Sequence, residues 1–406
     1  MIDSETQFNN DIIIIGQQPW DTEIGSNCKN IALEFSKTNR VLYVNSPLDR
    51  ITSIKYKDDP KVQYRLNVIG KKEDGLVKIK DNLWTYYPDC MVESINWITS
   101  DAIFNLLNKI NNSRSAKSIK KAINALSFTD FVLFNDSEIY KGFYLKKFLK
   151  PHLSVYYSRD YMIGVDYWKK HGEKLEPLLI KEADLCFANS PYLEAYCHQH
   201  NLNSFDVGQG CDLDLFQNSD YQLPDDLKAI KRPIIGYVGV LSSDRLDINI
   251  ISHIATSFPQ ATVVLVGPED DVFKSSGLHN IDNVIFLGLK PISLLPNYIS
   301  GFDVCINPQL INALTIGNYP RKIDEYLALG KPVVATKTKT MTLFKDYVYL
   351  ADTPEDYIIE IGKAFNEDHS LLSSPRKDFA FLHTWENSVK LMSAKIIAAL
   401  NKPISA

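Results

Sequence analysis

Four consecutive isoleucines, Ile12 to Ile15, open a series of short apolar runs that alternate with helical patterns along nearly all of the 406-residue chain. Such runs suit strands buried on both faces and are far too short to span a bilayer. Strands of that kind, separated by helices, build parallel sheets with helices on each side. In the first half, strands are expected at 11–16, 41–45, 83–87, 131–134, 154–157 and 184–188. Cys28, Ile31, Ala32 and Phe35 fall at i, i+3, i+4 and i+7, which predicts a helix capped by Ser26 or Asn27. Residues 51–80 are polar and lysine-rich without clear periodicity, and read as a long excursion from the sheet.

The pattern breaks at 218–232, where Leu223-Pro224-Asp225-Asp226 marks a linker, and then restarts. Strands are expected at 233–239, 262–267, 284–288, 304–307, 332–335 and 348–350, with helices at 247–258, 293–300 and 322–329 between them. The length and this restart predict two Rossmann-like doubly wound α/β domains, 1–222 and 223–384, with a ligand cleft between them. A final helical stretch, 385–406, is expected to pack back on the first domain.

Charge and cysteines exclude several function classes. The net charge of −5 argues against a nucleic-acid partner. Six scattered cysteines without a CxxC or a Cys/His cluster predict free thiols and no zinc site. The opening MIDSETQFNN is too polar for a secretory signal, so a cytoplasmic location is expected. Residues 107–150, however, hold nine Lys/Arg against three acids. Such a stretch is either a solvated face or a surface for peripheral contact with an anionic membrane.

The segment from Asn312 to Thr336 is the most informative. It reads as a loop, a helix introduced by Pro320 and stopped by Gly330, and a buried strand. Lys322 and Glu325 share the face of the first turn. A lysine near a helix N-terminus suits a phosphate, and a carboxylate one turn later can accept two ribose hydroxyls; the alternative is a surface ion pair. The string Pro320-x-Lys322-x-x-Glu325-Tyr-Leu-Ala-x-Gly330-Lys-Pro-Val-Val resembles the donor-binding signature of bacterial GT-B glycosyltransferases. With Asn312-x-Leu-Thr315 before it, it resembles more narrowly the variety found in teichuronic-acid and capsule polysaccharide transferases. The resemblance places Lys322 on the donor diphosphate and Glu325 on ribose. One departure stands out: many retaining relatives carry a second Glu eight residues earlier, where this chain has Gly317.

Further similarities follow in order. Ile235-Gly-Tyr-Val-Gly239 through Arg245 resembles the strand-turn that opens the donor domain, with Gly239 letting backbone approach phosphate and Arg245 supplying a cation, although Val240 replaces an Arg common in relatives. Gly267, Gly288, Leu289, Thr315 and Asn318 are the expected base and donor loops. Tyr156-Tyr-Ser-Arg-Asp160 resembles a Tyr-x-x-x-Asp element of glucuronosyltransferase-like relatives, which makes Asp160 the candidate catalytic base. After the first strand, Trp20 and Asp21 are candidate acceptor contacts, and Gly25 with Ser26 could approach the diphosphate; a helix cap with a packed Trp is the alternative. His171 and Glu176 read as structural.

The resemblance implies a metal-independent hexosyltransferase without a resident cofactor, using a nucleotide-sugar, expected to be a UDP-sugar, and a sugar or lipid-linked acceptor in polysaccharide synthesis. The alternatives are a UDP-sugar epimerase of the same fold and a non-catalytic nucleotide-sugar-binding protein.

Overall fold

A computed structural model of the protein describes residues 8, 10–22, 25–218 and 220–401. Most of the opening polar stretch therefore lies outside the described residues. Contacts divide the chain into two units, one running through Gly208 and resuming at Trp385, the other spanning Gln209–Thr384.

The first unit holds β1 (Ile12–Gly16), β2 (Val41–Asn45), β3 (Leu48–Asp49), β4 (Leu76–Lys80), β5 (Leu83–Tyr86), β6 (Met91–Val92), β7 (Val132–Asp136), β8 (Leu153–Ser158), β9 (Leu185–Ala188) and β10 (Ser204–Asp206). Eight of them form one sheet in the order β10-β9-β8-β7-β1-β2-β5-β4, parallel except for the β4–β5 pair, while β3 and β6 pair separately. The isoleucine run is central, with β1 paired to both β2 and β7 and Ile12 to Ile15 buried. Burial on both faces is why the strand shows no polar alternation.

The final helix, Trp385–Leu400, belongs to this unit. Its Trp385, Val389, Met392 and Ile396 join the core under β1, and the helix packs on Asn27–Phe35. Ser388 fixes its start by donating to the carbonyls of Val207 (2.9 Å) and Gly208 (3.2 Å).

The polar excursion is more ordered than its composition suggests. Helices Arg50–Lys55 and Pro60–Ile69 occupy it, and the chain returns through the antiparallel strand β4. Asp49 and Asp59 cap the two helices, and Pro60 suits the first turn of the second. Only Val62 and Val68 are buried in these helices, so caps mark them and periodicity does not. Within the expected linker, Asp225–Lys228 is a short helix that buries Leu227.

The second unit is one parallel sheet, β11 (Ile234–Val238), β12 (Thr262–Val266), β13 (Val284–Gly288), β14 (Val304–Asn307), β15 (Val333–Thr336) and β16 (Tyr349–Ala351), in the order β13-β12-β11-β14-β15-β16. Its two apolar layers lie on opposite faces of the sheet, Val238, Val264 and Cys305 in one, Ile235, Val263 and Ile306 in the other. In parallel sheets of this kind, ligands bind beyond the carboxyl ends of the strands.

Candidate functional site

In the second unit three adjacent strands end on glycine. Gly239 follows β11 with φ +142°, Gly267 follows β12 with φ +149°, and Gly288 closes β13 with φ +67°. Backbone bonds tie them in a row: Gly239 N–H donates to Val266 O and Gly267 N–H to Gly288 O, both at 2.9 Å. A Cβ on Gly267 would stand 1.9 Å from Gly239 O, so the close approach of the two strand ends requires glycine.

Lys322 lies over this row. Its Nζ donates to the hydroxyl of Tyr237 and sits 4.1 Å from the Tyr237 ring centre, and it is the atom that a Cβ on Gly239 would meet at 2.9 Å. Its partner is therefore Tyr237 and not Glu325, so the surface ion pair does not form. Helix Lys322–Ala328 is only seven residues long, which makes the lysine itself the main charge at this end.

The neighbouring acids divide their tasks. Asp324 is fully buried, with Oδ1 2.7 Å from His383 Nδ1 and Oδ2 accepting from Cys211 Sγ at 3.3 Å. Glu325, half-buried, makes no side-chain hydrogen bond or ion pair with any described residue. Burial pushes its carboxyl above the usual range, against the pull of Arg321 and Lys322.

Arg245 is exposed, and its guanidinium has no partner among the described residues. Its backbone is held: the Arg245 carbonyl accepts from Leu310 N (2.8 Å), and Asn312 Nδ2 donates to Asp244 O (2.8 Å). Thr315 serves this clip. Its hydroxyl donates to Leu310 O (2.5 Å), and its own carbonyl accepts from Gln309 Nε2 (3.1 Å). The Asn312-x-Leu-Thr315 element thus shapes the loop carrying Arg245, and the Thr315 hydroxyl, expected to serve a donor loop, is spent inside it. Asn318 has no side-chain hydrogen bond to a described residue, and Leu289 projects into solvent after Gly288.

The first unit gathers a second group at the ends of β1, β7 and β8. Asp160 follows β8 with its side chain 46% exposed, and Arg159 Nη1 holds it at 2.8 Å. The same guanidinium reaches the fully buried Asp136 (Nε to Oδ1, 2.9 Å) and Gln17 Oε1 (Nη2, 2.5 Å). Burial works against the Arg159 charge, but Asp136 and Asp160 together raise its pKa. Asp136 Oδ2 and Tyr157 OH are buried here without a hydrogen-bond partner among the described residues. Buried polar atoms of this kind need a water or a ligand.

Of the other expected residues, Trp20 and Asp21 are committed internally. Trp20 packs edge-to-face on Tyr43 at 5.1 Å with Lys29 Nζ 5.4 Å from its ring, and its backbone N–H donates to Asn45 Oδ1. Asp21 pairs with Arg65 at 2.9 Å. Gly25 is exposed with open space around it, and Ser26 caps its helix without a side-chain bond. His171 stacks on Phe104 at 3.7 Å. Glu176, which accepts from Tyr156 and Tyr196, is pushed by burial to about 7. Tyr237, Asp324, Arg159 and Asp136 are the residues that spacing alone does not single out.

Two Rossmann-like units of the GT-B fold class carry these groups. Within the second unit, residues 232–365 match the family model for Glycosyl transferases group 1. TuaH of Bacillus subtilis (strain 168), provisionally named a teichuronic acid biosynthesis glycosyltransferase, is 27% identical over 235 residues, 54% of this chain and 58% of TuaH. The match thus spans little more than half of that relative. Among solved structures, sucrose-phosphate synthase from Thermosynechococcus elongatus is similar with TM-score 0.65 at 14% identity, over 96% of this chain and 98% of that one. Anabaena HepE in complex with UDP is similar with TM-score 0.63 at 15% identity, over 96% and 99%.

Proposed function

We propose that this chain is a metal-independent glycosyltransferase that moves a sugar from a UDP-sugar to a hydroxyl acceptor in cell-surface polysaccharide or glycoconjugate synthesis. The observation that carries the reading is Glu325, a half-buried carboxylate left without a partner one turn from a lysine held over a row of glycine strand ends. A structural acid in that position would be paired, as Asp324 is. The likeness to TuaH and the UDP bound in HepE support the same assignment.

In this reading the bare backbone at Gly239 and Gly267 admits the diphosphate. Lys322 and Arg245 take up its charge as the anomeric bond breaks, and Glu325 accepts the ribose hydroxyls. The loops at Gly288, Leu289 and Asn318 flank the base. Asp160 accepts the proton of the acceptor hydroxyl as its oxygen bonds to the anomeric carbon, which inverts the configuration. Incubation with a panel of UDP-sugars tests the reading. Slow UDP release is expected; an altered sugar still joined to UDP identifies an epimerase, and binding without turnover a non-catalytic protein.

The proposal extends to a peripheral contact with the anionic inner face of the cytoplasmic membrane. No helix among the described residues is long and apolar enough to cross one. Of the basic residues at 107–150, Arg114, Lys121 and Lys146 are paired with Glu93, Asp89 and Asp184. Lys109, Lys117 and Lys120 are exposed on helix Asp101–Ala125 without an ion pair to a described residue. Each contributes about 1 kcal/mol near an anionic surface. Sedimentation with phosphatidylglycerol vesicles should be salt-sensitive and weaken when Lys117 and Lys120 are both changed to Glu. Equal binding to neutral vesicles rejects the contact.

A further inference from the structure

A cavity of about 560 Å³ lies wholly within the first unit, in the loops beyond the carboxyl ends of β2, β5, β7 and β8. Its apolar wall combines aromatic and aliphatic side chains: Trp97 (73% exposed), Ile51 and Tyr167 are open to solvent, while Ile95 and Tyr140 are buried. Helices Arg50–Lys55 and Asp101–Ala125, which supply part of the lining, also expose Ile54, Ile103 and Leu106.

The polar lining holds two carboxylates, Asp49 and Glu93, and two lysines, Lys141 and Lys170, and its positive excess comes from Arg50 and Arg114 beside Glu93. Glu93 is paired with Arg50 and Arg114, whereas Asp49 accepts only from the neutral Thr52 and Ser94 and keeps its charge, which faces Lys141. Both of its lysines rest on neutral oxygens. Lys141 Nζ donates to Ser46 Oγ (2.8 Å) and Pro47 O (3.3 Å), and Lys170 Nζ to Trp97 O (2.8 Å). Neither has an ion-pair partner among the described residues. Asn108 adds a third donor. It is 1% exposed, and its Nδ2 has no partner, although its carbonyl groups accept from Asn112. A buried amide N–H left unbonded is costly, and a ligand that accepts from it recovers that cost.

We propose that this cavity binds an anionic amphiphile, with a phosphate taken up by Lys141, Lys170 and Asn108 and an alkyl chain laid along Trp97, Ile51 and Tyr167. Lysine is a point-charge phosphate binder, and a ligand that were only anionic would leave the open apolar wall unused. Its role as the sugar acceptor, a lipid phosphate, rests on the transferase reading; its binding does not. A second cavity of about 480 Å³ shares Asp49, Thr52 and Lys141 with the first and extends the available space toward Arg65.

The test is titration of the full chain with dodecyl phosphate below its micelle concentration, read by tryptophan fluorescence and calorimetry, beside inorganic phosphate and an uncharged dodecyl glycoside. Saturable binding of dodecyl phosphate is expected, with both controls weaker by about tenfold or more. Lys170→Gln and Trp97→Ala, both at exposed side chains, should each weaken it by about tenfold without changing UDP affinity or melting temperature. Equal binding of the uncharged glycoside, or unchanged affinity in both variants, overturns the proposal. Loss of UDP binding with dodecyl phosphate binding intact would instead count against the transferase reading and leave the cavity assignment standing.

Discussion

Asp160→Asn is expected to lower sugar transfer by about 100- to 10,000-fold while leaving UDP-glucose affinity near that of the unaltered protein. The substitution keeps size and one oxygen for Arg159 Nη1 to bond, so the local geometry is retained and only the ability to take a proton is lost. Arg159 explains why such a base is ready. A guanidinium braced by Asp136 and Gln17 holds the Asp160 carboxylate by one oxygen, with the side chain still half exposed. The fully buried Asp136 remains to balance Arg159 when Asp160 becomes neutral, so the variant should melt close to the unaltered protein. Steady-state rates with a competent acceptor decide the matter. A variant that transfers sugar normally makes Asp160 a structural partner of Arg159 and removes the inverting mechanism.

Glu325→Ala should weaken UDP-glucose binding by about 10- to 150-fold, the equivalent of about 1.5–3 kcal/mol for a charged hydrogen-bond partner. Its effect on stability should have the opposite sign. Burial raises the Glu325 carboxyl, so its ionisation costs folding free energy that sets in as pH rises above the ordinary carboxyl range and is fully present above the raised, folded-state pKa. With no hydrogen bond to lose, the alanine variant should melt no lower than the unaltered protein at neutral pH. A variant that binds UDP-glucose normally, or that unfolds, returns Glu325 to a structural role.

The sheet of each unit is legible in the sequence because every central strand is buried on both faces and so appears as an unbroken apolar run. The helix of Lys322 is equally legible, since Pro320 and Gly330 bracket it and its two polar residues stand one turn apart. The division of labour between Asp324 and Glu325 is not. It depends on Cys211 and His383, which are 113 and 59 residues away and reach only Asp324. The Arg159 network draws on positions 17, 136, 159 and 160, and no local pattern brings these together. Thr315 shows the converse: a residue legible from its motif whose hydroxyl turns inward to shape the loop of Arg245. The helices at 50–55 and 60–69 escape periodicity because they bury almost nothing, and their aspartate caps are the signal that finds them.

A nucleotide-sugar site at the glycine strand ends under Lys322 is open to direct test by calorimetric titration of UDP and UDP-glucose into the unaltered chain and into Lys322→Ala. Saturable binding at one site per chain is expected, weakened at least tenfold by the substitution, with the melting temperature raised by ligand only where binding persists. Absence of any binding by UDP or a UDP-sugar, or equal binding by both proteins, would contradict it.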